Sequence, residues 1–184
     1  VLPAQLGVAL ARIHRTDVRQ VAGLAGDDQI AMYRSVLDGS GYAHPTFELA
    51  FRWLEQHRPA GRPRTLVHGD FRLDNLIFDR TENKVIGVLD WELSTLGHPV
   101  ADFSYQCMAW RIPPSLWRGI GGLDLIQLGI PSEREYIALY ERHSGRKVSQ
   151  HWNFYMAYNF FRIAAILHGV AQRAVDGNAS AKDA

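Results

Sequence analysis

Hydrophobic and polar positions alternate with two different periods along this chain. Near the N-terminus Leu6, Leu10 and Ile13 recur at i, i+4 and i+7, the single apolar face of a helix. The stretch DDQIAMYRSVLDG (27–39) opens on Asp and closes on Gly, a helix start and stop. In PTFELAFRWLEQH (45–57) a Pro stands at an opening position, and Phe47, Phe51 and Leu54 share one side. From residue 65 the character changes. TLVH (65–68), NLIFD (75–79) and KVIGVLD (84–90) are short, rich in branched apolar residues and separated by polar clusters, which predicts strands. RTEN (80–83) reads as the hairpin turn between the second and third. Helical patterning returns over 99–110, 132–145 and about 150–174, whereas the Pro- and Gly-containing 112–131 predicts an irregular connection. The tail GNASAKDA (177–184) predicts a frayed end. Helices, then a small patch of strands, then helices make an α+β chain with helix in excess, not a βαβ repeat.

Composition narrows this picture. With 184 residues, 47% hydrophobic, the chain is long enough to bury one core. A net charge of +1 gives no electrostatic reason to expect nucleic acid or an anionic membrane as partner. The single cysteine, Cys107, excludes an internal disulfide framework and fits a reducing compartment. No apolar run approaches the roughly 18 residues that span a bilayer. The N-terminal VLPAQLGVALARIHR has no basic segment before its apolar part and reads as a helix rather than a signal. A cytoplasmic location is the expectation. Because the chain starts with Val, a piece of a longer polypeptide is expected too. The eight histidines show no metal-ligand spacing.

The chemistry concentrates in HGDFRLDN (68–75), between two strand-like runs. If the second and third strands form a hairpin, Asn75 at the start of one and Asp90 at the end of the other become neighbours, close to the loop that carries Asp70. One amide and one carboxylate oxygen suit a hard cation such as Mg2+, which keeps several waters and takes few protein ligands. A further carboxylate, Asp70, is placed to accept a proton from an attacking hydroxyl. These are the parts that phosphoryl transfer needs, since the protein there has mainly to position metal-bound phosphates and neutralise charge. Local readings stand beside these: Asp74 and Asp79 as turn formers, and Arg72 as a solvated surface charge.

His68, Asp70 and Asn75 keep the spacing of the protein-kinase catalytic loop, H-R-D-x-x-x-x-N, with Gly69 replacing its Arg. The H-G-D form followed by VLDWE resembles the aminoglycoside phosphotransferase family. LGVALARIH, VIGVLDWELSTLGHPVADFSY and FYMAYNFFRIAAILHGVAQRA together resemble one branch of it, the kinase-like domains associated with acyl-CoA dehydrogenases. The resemblance implies the C-terminal lobe of a protein-kinase-like fold over 1–176, its strand patch carrying the catalytic loop. It implies that Asp70 is the catalytic base, that Arg72 touches the transferring phosphate, and that Asn75 and Asp90 hold Mg2+. His68 then buttresses the loop, and Asp102 anchors it through backbone hydrogen bonds. Asp74 and Glu92 are polar members of the site, open to touching the substrate or to supporting the residues that do. His98, where relatives often carry Asp, reads as loop variation. ATP and Mg2+ are the implied cofactors, and a hydroxyl on a small molecule the acceptor, with the branch suggesting a hydroxyacyl compound or its CoA thioester.

No Walker-type phosphate loop occurs, and the family's N-terminal lobe has no counterpart in these residues. The chain alone is therefore expected to be inactive, and its lobe-facing surface to favour self-association. Two other readings remain open on the sequence: a catalytically silent kinase-like binding or regulatory module, and a metal-dependent hydrolase.

Overall fold

The computed structural model describes residues 2–21, 23–24, 26, 28–39, 44–61 and 64–175. The expected frayed tail at 177–184 lies outside them. Six helices carry the fold: α1 (Leu2–Ile13), α2 (Gln29–Gly39), α3 (Pro45–Gln56), α4 (Pro99–Cys107), α5 (Glu133–Ser144) and α6 (Trp152–Val175). The apolar stripe of α1 does what its spacing predicts: Leu6, Leu10 and Ile13 are buried, and α1 packs on α5. On α5 the same burial falls to Tyr136 and Tyr140. The Tyr140 ring stacks on Phe103 of α4 with centroids 3.9 Å apart. α6 is the long central helix, with α2, α3 and α4 all packed against it. The ends of α5 are written in its sequence. Ser132 and Glu135 form a reciprocal capping box at its start, and Gly145 closes it with φ 71°.

Among the described residues four short strands are present: β1 (Thr65–Val67), β2 (Leu76–Phe78), β3 (Val85–Val88) and β4 (Thr95–Gly97). They form two separate antiparallel ribbons, β1–β4 and β2–β3. The predicted hairpin is present as β2–β3, and β4, a strand not read from the sequence, pairs with β1. The β2–β3 register sets Leu76 against Val88. One step further out, the Leu89 N–H donates to the Asn75 carbonyl at 2.8 Å. The predicted helix over 99–110 also ends early, at Cys107, and continues as a 3-10 turn over Met108–Trp110.

Residues 112–131 are irregular as expected. They are tied back by the Ile120 N–H on the Ala109 carbonyl (2.7 Å) and the Trp110 indole on the Pro131 carbonyl (2.9 Å). Among the described residues no helix is long and apolar enough to cross a membrane. The architecture is α+β and mostly helical, with the two ribbons placing residues 68–75 and 89–98 against α4.

Candidate active site

The loop His68–Asn75 leaves β1 and enters β2 through a 3-10 turn over Leu73–Asn75. Three things hold it. The first is Asp102 on α4, a carboxylate 2% exposed. Its Oδ2 accepts the His68 N–H at 2.8 Å and its Oδ1 the Gly69 N–H at 3.0 Å. His14, just past the end of α1, adds Nε2 to Oδ2 at 3.2 Å, and the other ring nitrogen of His14 lies 2.6 Å from the Tyr140 hydroxyl. Burial pushes the Asp102 carboxyl up, but the His14 ring and the two backbone donors outweigh burial and hold it below the ordinary carboxylate value.

The second is His68, fully buried. Its Nδ1 accepts the Asp70 N–H at 3.2 Å and its Nε2 faces the Leu89 carbonyl at 2.8 Å. That pairing puts the ring proton on Nε2. One imidazole thereby ties the backbone of Asp70 to the residue preceding Asp90. The third is Gly69, at φ 84°, where a Cβ would overlap the Leu93 carbonyl oxygen. Only glycine fits there, which is the local reason for Gly in place of Arg in this loop.

At the centre, Asp70 gathers three donors. Its Oδ2 accepts Arg72 Nε and Asn75 Nδ2, both at 2.9 Å, and its Oδ1 accepts the Tyr105 hydroxyl at 2.7 Å. The Asn75 amide nitrogen also donates to the Asp70 carbonyl at 2.9 Å. With its nitrogen turned inward, Asn75 keeps its amide oxygen as the end available to a cation. Asp90 follows Leu89, whose N–H donates to the Asn75 carbonyl at 2.8 Å, so the hairpin brings the two stretches of backbone together. Asp90 is exposed and left-handed (φ 63°, ψ 60°), and its side chain makes no cap to the turn that follows. A non-glycine residue in that conformation is costly, and among the described residues its carboxylate has no hydrogen-bond or ion-pair partner. Among the described residues no three His, Cys, Asp or Glu side chains form a metal cluster. An amide oxygen at Asn75 and a carboxylate at Asp90 are hard oxygen donors of the kind Mg2+ takes when water and phosphate fill the remaining positions.

Arg72 Nη1 reaches Asp74 at 3.3 Å, and Asp74 also pairs with Arg118. Glu92 is exposed in the turn Trp91–Leu93, and among the described residues no hydrogen bond ties it to the loop. His98, read from the sequence as loop variation, instead caps α4, its Nδ1 accepting the Val100 N–H at 3.2 Å. Burial, with His151, Arg146 and His14 nearby, lowers its pKa to about 4. Cys107 is fully buried, and burial pushes its thiol well above the ordinary value, so it is core rather than chemistry.

Beside the loop a cavity of about 620 Å³ opens between α4, α5 and the 112–131 segment. Its walls are mostly apolar, with Met108, Trp110, Ile112, Trp117 and Ile130 among them, while Arg72, Asp74, Tyr105, Gln106 and Arg118 supply the polar positions. Sequence reasoning missed Tyr105, Arg162 and His14 as members of this site. Only Arg162 carried a signal, as a charged residue in the otherwise apolar FFRIAAIL of α6.

Residues 2–136 match the family described as the Phosphotransferase enzyme family. Among curated proteins, acyl-CoA dehydrogenase family member 10 of Mus musculus is 43% identical over 188 residues, covering 95% of this chain and 17% of that protein. A solved structure from Ralstonia eutropha, described as an aminoglycoside phosphotransferase, superposes with a TM-score of 0.89 at 43% identity, covering 98% of this chain and 58% of that one. The type VIII aminoglycoside-3'-phosphotransferase superposes with a TM-score of 0.64 at 19% identity, over 87% of this chain and 60% of that one, and shares the kinase-like fold. The chain thus spans 17% of the curated relative and a little over half of the solved structures.

Proposed function

This chain belongs to the phosphotransferase enzyme family, that of the aminoglycoside phosphotransferases, and from that premise we propose that it supplies the acceptor- and metal-binding half of an ATP- and Mg2+-dependent small-molecule kinase. The observation that carries this reading is the convergence at Asp70. Arg72, Asn75 and Tyr105 all donate to its carboxylate, and the hairpin bonds Leu89, the residue before Asp90, to Asn75. Asp70 takes the proton of the acceptor hydroxyl while the acceptor oxygen bonds to the γ-phosphorus. The bond to the β,γ-bridging oxygen breaks, and ADP leaves. Arg72, next to the base and at the cavity edge, offers its fork of donors to the transferring phosphoryl group. Asn75 and Asp90 hold Mg2+, which when bound neutralises charge on the phosphates. His68, Gly69 and Asp102 keep the loop rigid, so that base and metal ligands need not reorganise during transfer.

For the acceptor we propose a hydroxyacyl compound, free or as its CoA thioester. The apolar cavity beside Asp70 suits an acyl chain far better than a polycationic sugar. The acyl-CoA dehydrogenase name of the curated relative points the same way. The remaining wall of the nucleotide pocket we assign to a further lobe, resting on the hairpin face where Ile77, Ile86 and Trp91 are exposed.

The test is turnover of Mg·ATP by the intact protein against a panel of hydroxyacyl compounds and their CoA thioesters. Replacing Asp70 by Asn lowers turnover by about 10²- to 10⁴-fold, the usual share of general-base catalysis, with nucleotide affinity retained. Replacing Asp90 by Ala weakens nucleotide affinity itself. Equal loss of nucleotide affinity in both variants contradicts this division between base and metal ligand.

A further inference from the structure

A carboxylate has about four lone-pair positions, and three are engaged at Asp70. Oδ2 accepts from both Arg72 and Asn75 and is filled. Oδ1 accepts from Tyr105, which leaves it room for one more donor. The proton of an acceptor hydroxyl therefore has one place to go. Arg72 and Tyr105, which donate to different oxygens of Asp70, both line the apolar cavity, so an acceptor held there lies close to the carboxylate, whose open position is on Oδ1.

Tyr105 is itself gripped from behind. The guanidinium of Arg162, on α6, lies 5.0 Å from the centre of the Tyr105 ring. Its Nη2 donates to the Gly69 carbonyl at 2.5 Å and its Nε to the Tyr33 hydroxyl at 2.9 Å. Arg162 is 6% exposed, and among the described residues its hydrogen bonds go to a hydroxyl and a backbone carbonyl, not to a carboxylate. A buried cation without a counter-ion is expensive. Here it is offset by a backbone carbonyl, a hydroxyl and two aromatic faces. Those partners fix the carbonyl of Gly69 and, through Tyr105, the carboxylate of Asp70, which are consecutive residues of the loop.

We propose that Tyr105, backed by Arg162, is the positioning residue of the phosphoryl transfer, and that it fixes the Asp70 carboxylate so that Oδ1 receives the acceptor proton. The assignment rests on Asp70 being the base. As the acceptor oxygen bonds to the γ-phosphorus and ADP departs, the acceptor proton passes to Oδ1, while Tyr105 keeps its hydrogen and holds the oxygen in place. The alternative is a core tyrosine that merely satisfies its hydroxyl, and in that case a phenylalanine serves equally well.

Replacing Tyr105 by Phe in the intact phosphotransferase keeps the ring, the packing and the stacking on Arg162, so only the hydroxyl is lost. With Mg·ATP and the hydroxyacyl-CoA panel, kcat falls about 10- to 100-fold, the value of a charge-assisted hydrogen bond aimed at a reacting group, and the KM for ATP stays within about twofold. Arg162→Lys keeps the charge but not the fork, and it lowers kcat as well. Because both residues act on one carboxylate, the double variant loses less than the product of the single losses. A Tyr105→Phe enzyme with wild-type kcat, or with its loss confined to the KM for ATP, overturns the proposal. A crystal structure of the Tyr105→Phe protein supplies an arm that needs no acceptor: a carboxylate rotated away from its wild-type position supports the role, and an unmoved one overturns it. A wild-type protein inert toward the whole panel refutes the acceptor assignment instead, so the two failures are distinguishable.

Discussion

Replacing Asp102 by Asn changes almost no volume but inverts half of the side chain's hydrogen-bonding character. In the native fold both oxygens accept: Oδ1 from the Gly69 N–H, Oδ2 from the His68 N–H and the His14 ring. An amide has one accepting oxygen and one donating nitrogen. The better of its two orientations keeps the oxygen toward His68 and His14 and turns the nitrogen against the Gly69 N–H. That leaves one buried backbone donor facing another, which costs about 1–3 kcal/mol. The two surviving bonds also lose their charge assistance, about 1 kcal/mol each. The total is roughly 3–5 kcal/mol, enough to lower the melting temperature by on the order of 10 °C in a chain of this size. Urea titration and calorimetry of the intact protein at neutral pH read this directly. Because the native Asp102 carboxyl is held below its ordinary value, its contribution is present above the carboxylate range and disappears as pH falls through the native pKa. The Asn variant should accordingly show a flatter acid limb. A variant within about 1 kcal/mol of wild type, with the acid limb unchanged, refutes the view that Asp102 pins the loop.

Gly69→Ala meets two obstacles at once, a φ of 84° and a backbone oxygen of Leu93 in the space the new methyl group would need. Left-handed backbone and overpacking together destabilise by about 2–5 kcal/mol, read by urea titration, and the forced shift of Leu93 disturbs the segment that carries Asp90. His98→Asn keeps an N-cap acceptor and removes a titrating one. The native His98 falls from an ordinary 6.5 to about 4. Its stabilisation is therefore complete above about pH 6.5 and is lost as pH drops toward 4, at most ~3 kcal/mol and about half of that for a partly exposed ring. Denaturation midpoints between pH 7 and pH 4 should fall less steeply in the Asn variant. Parallel slopes contradict the burial of a neutral His98 ring.

Much of this was legible from pattern and spacing. The apolar stripes of α1 and α3, the strand character of 65–67, 76–78 and 85–88, and the loop that brings Asp70 and Asn75 together all follow from local signals. Thr95–Gly97 was not, because three residues after a polar turn carry no alternation and their partner β1 lies some thirty residues earlier. Tyr105, Arg162 and His14 escaped for the same reason. Their contacts with Asp70, Gly69 and Asp102 span 35, 93 and 88 residues, and only the packing of α1, α4 and α6 brings them together. His98 was misjudged because histidine is an uncommon N-cap, yet its ring nitrogen accepts as an Asp oxygen would.

The central claim is that Asn75 and Asp90 bind one divalent cation beside Asp70. It is tested most directly by a crystal structure of the intact protein with Mn2+ and a non-hydrolysable ATP analogue, using the anomalous signal of manganese. The account predicts a manganese peak bonded to the Asn75 amide oxygen and the Asp90 carboxylate, with the Asp70 carboxylate outside the coordination sphere. A peak elsewhere, with neither Asn75 nor Asp90 among the ligands, contradicts it.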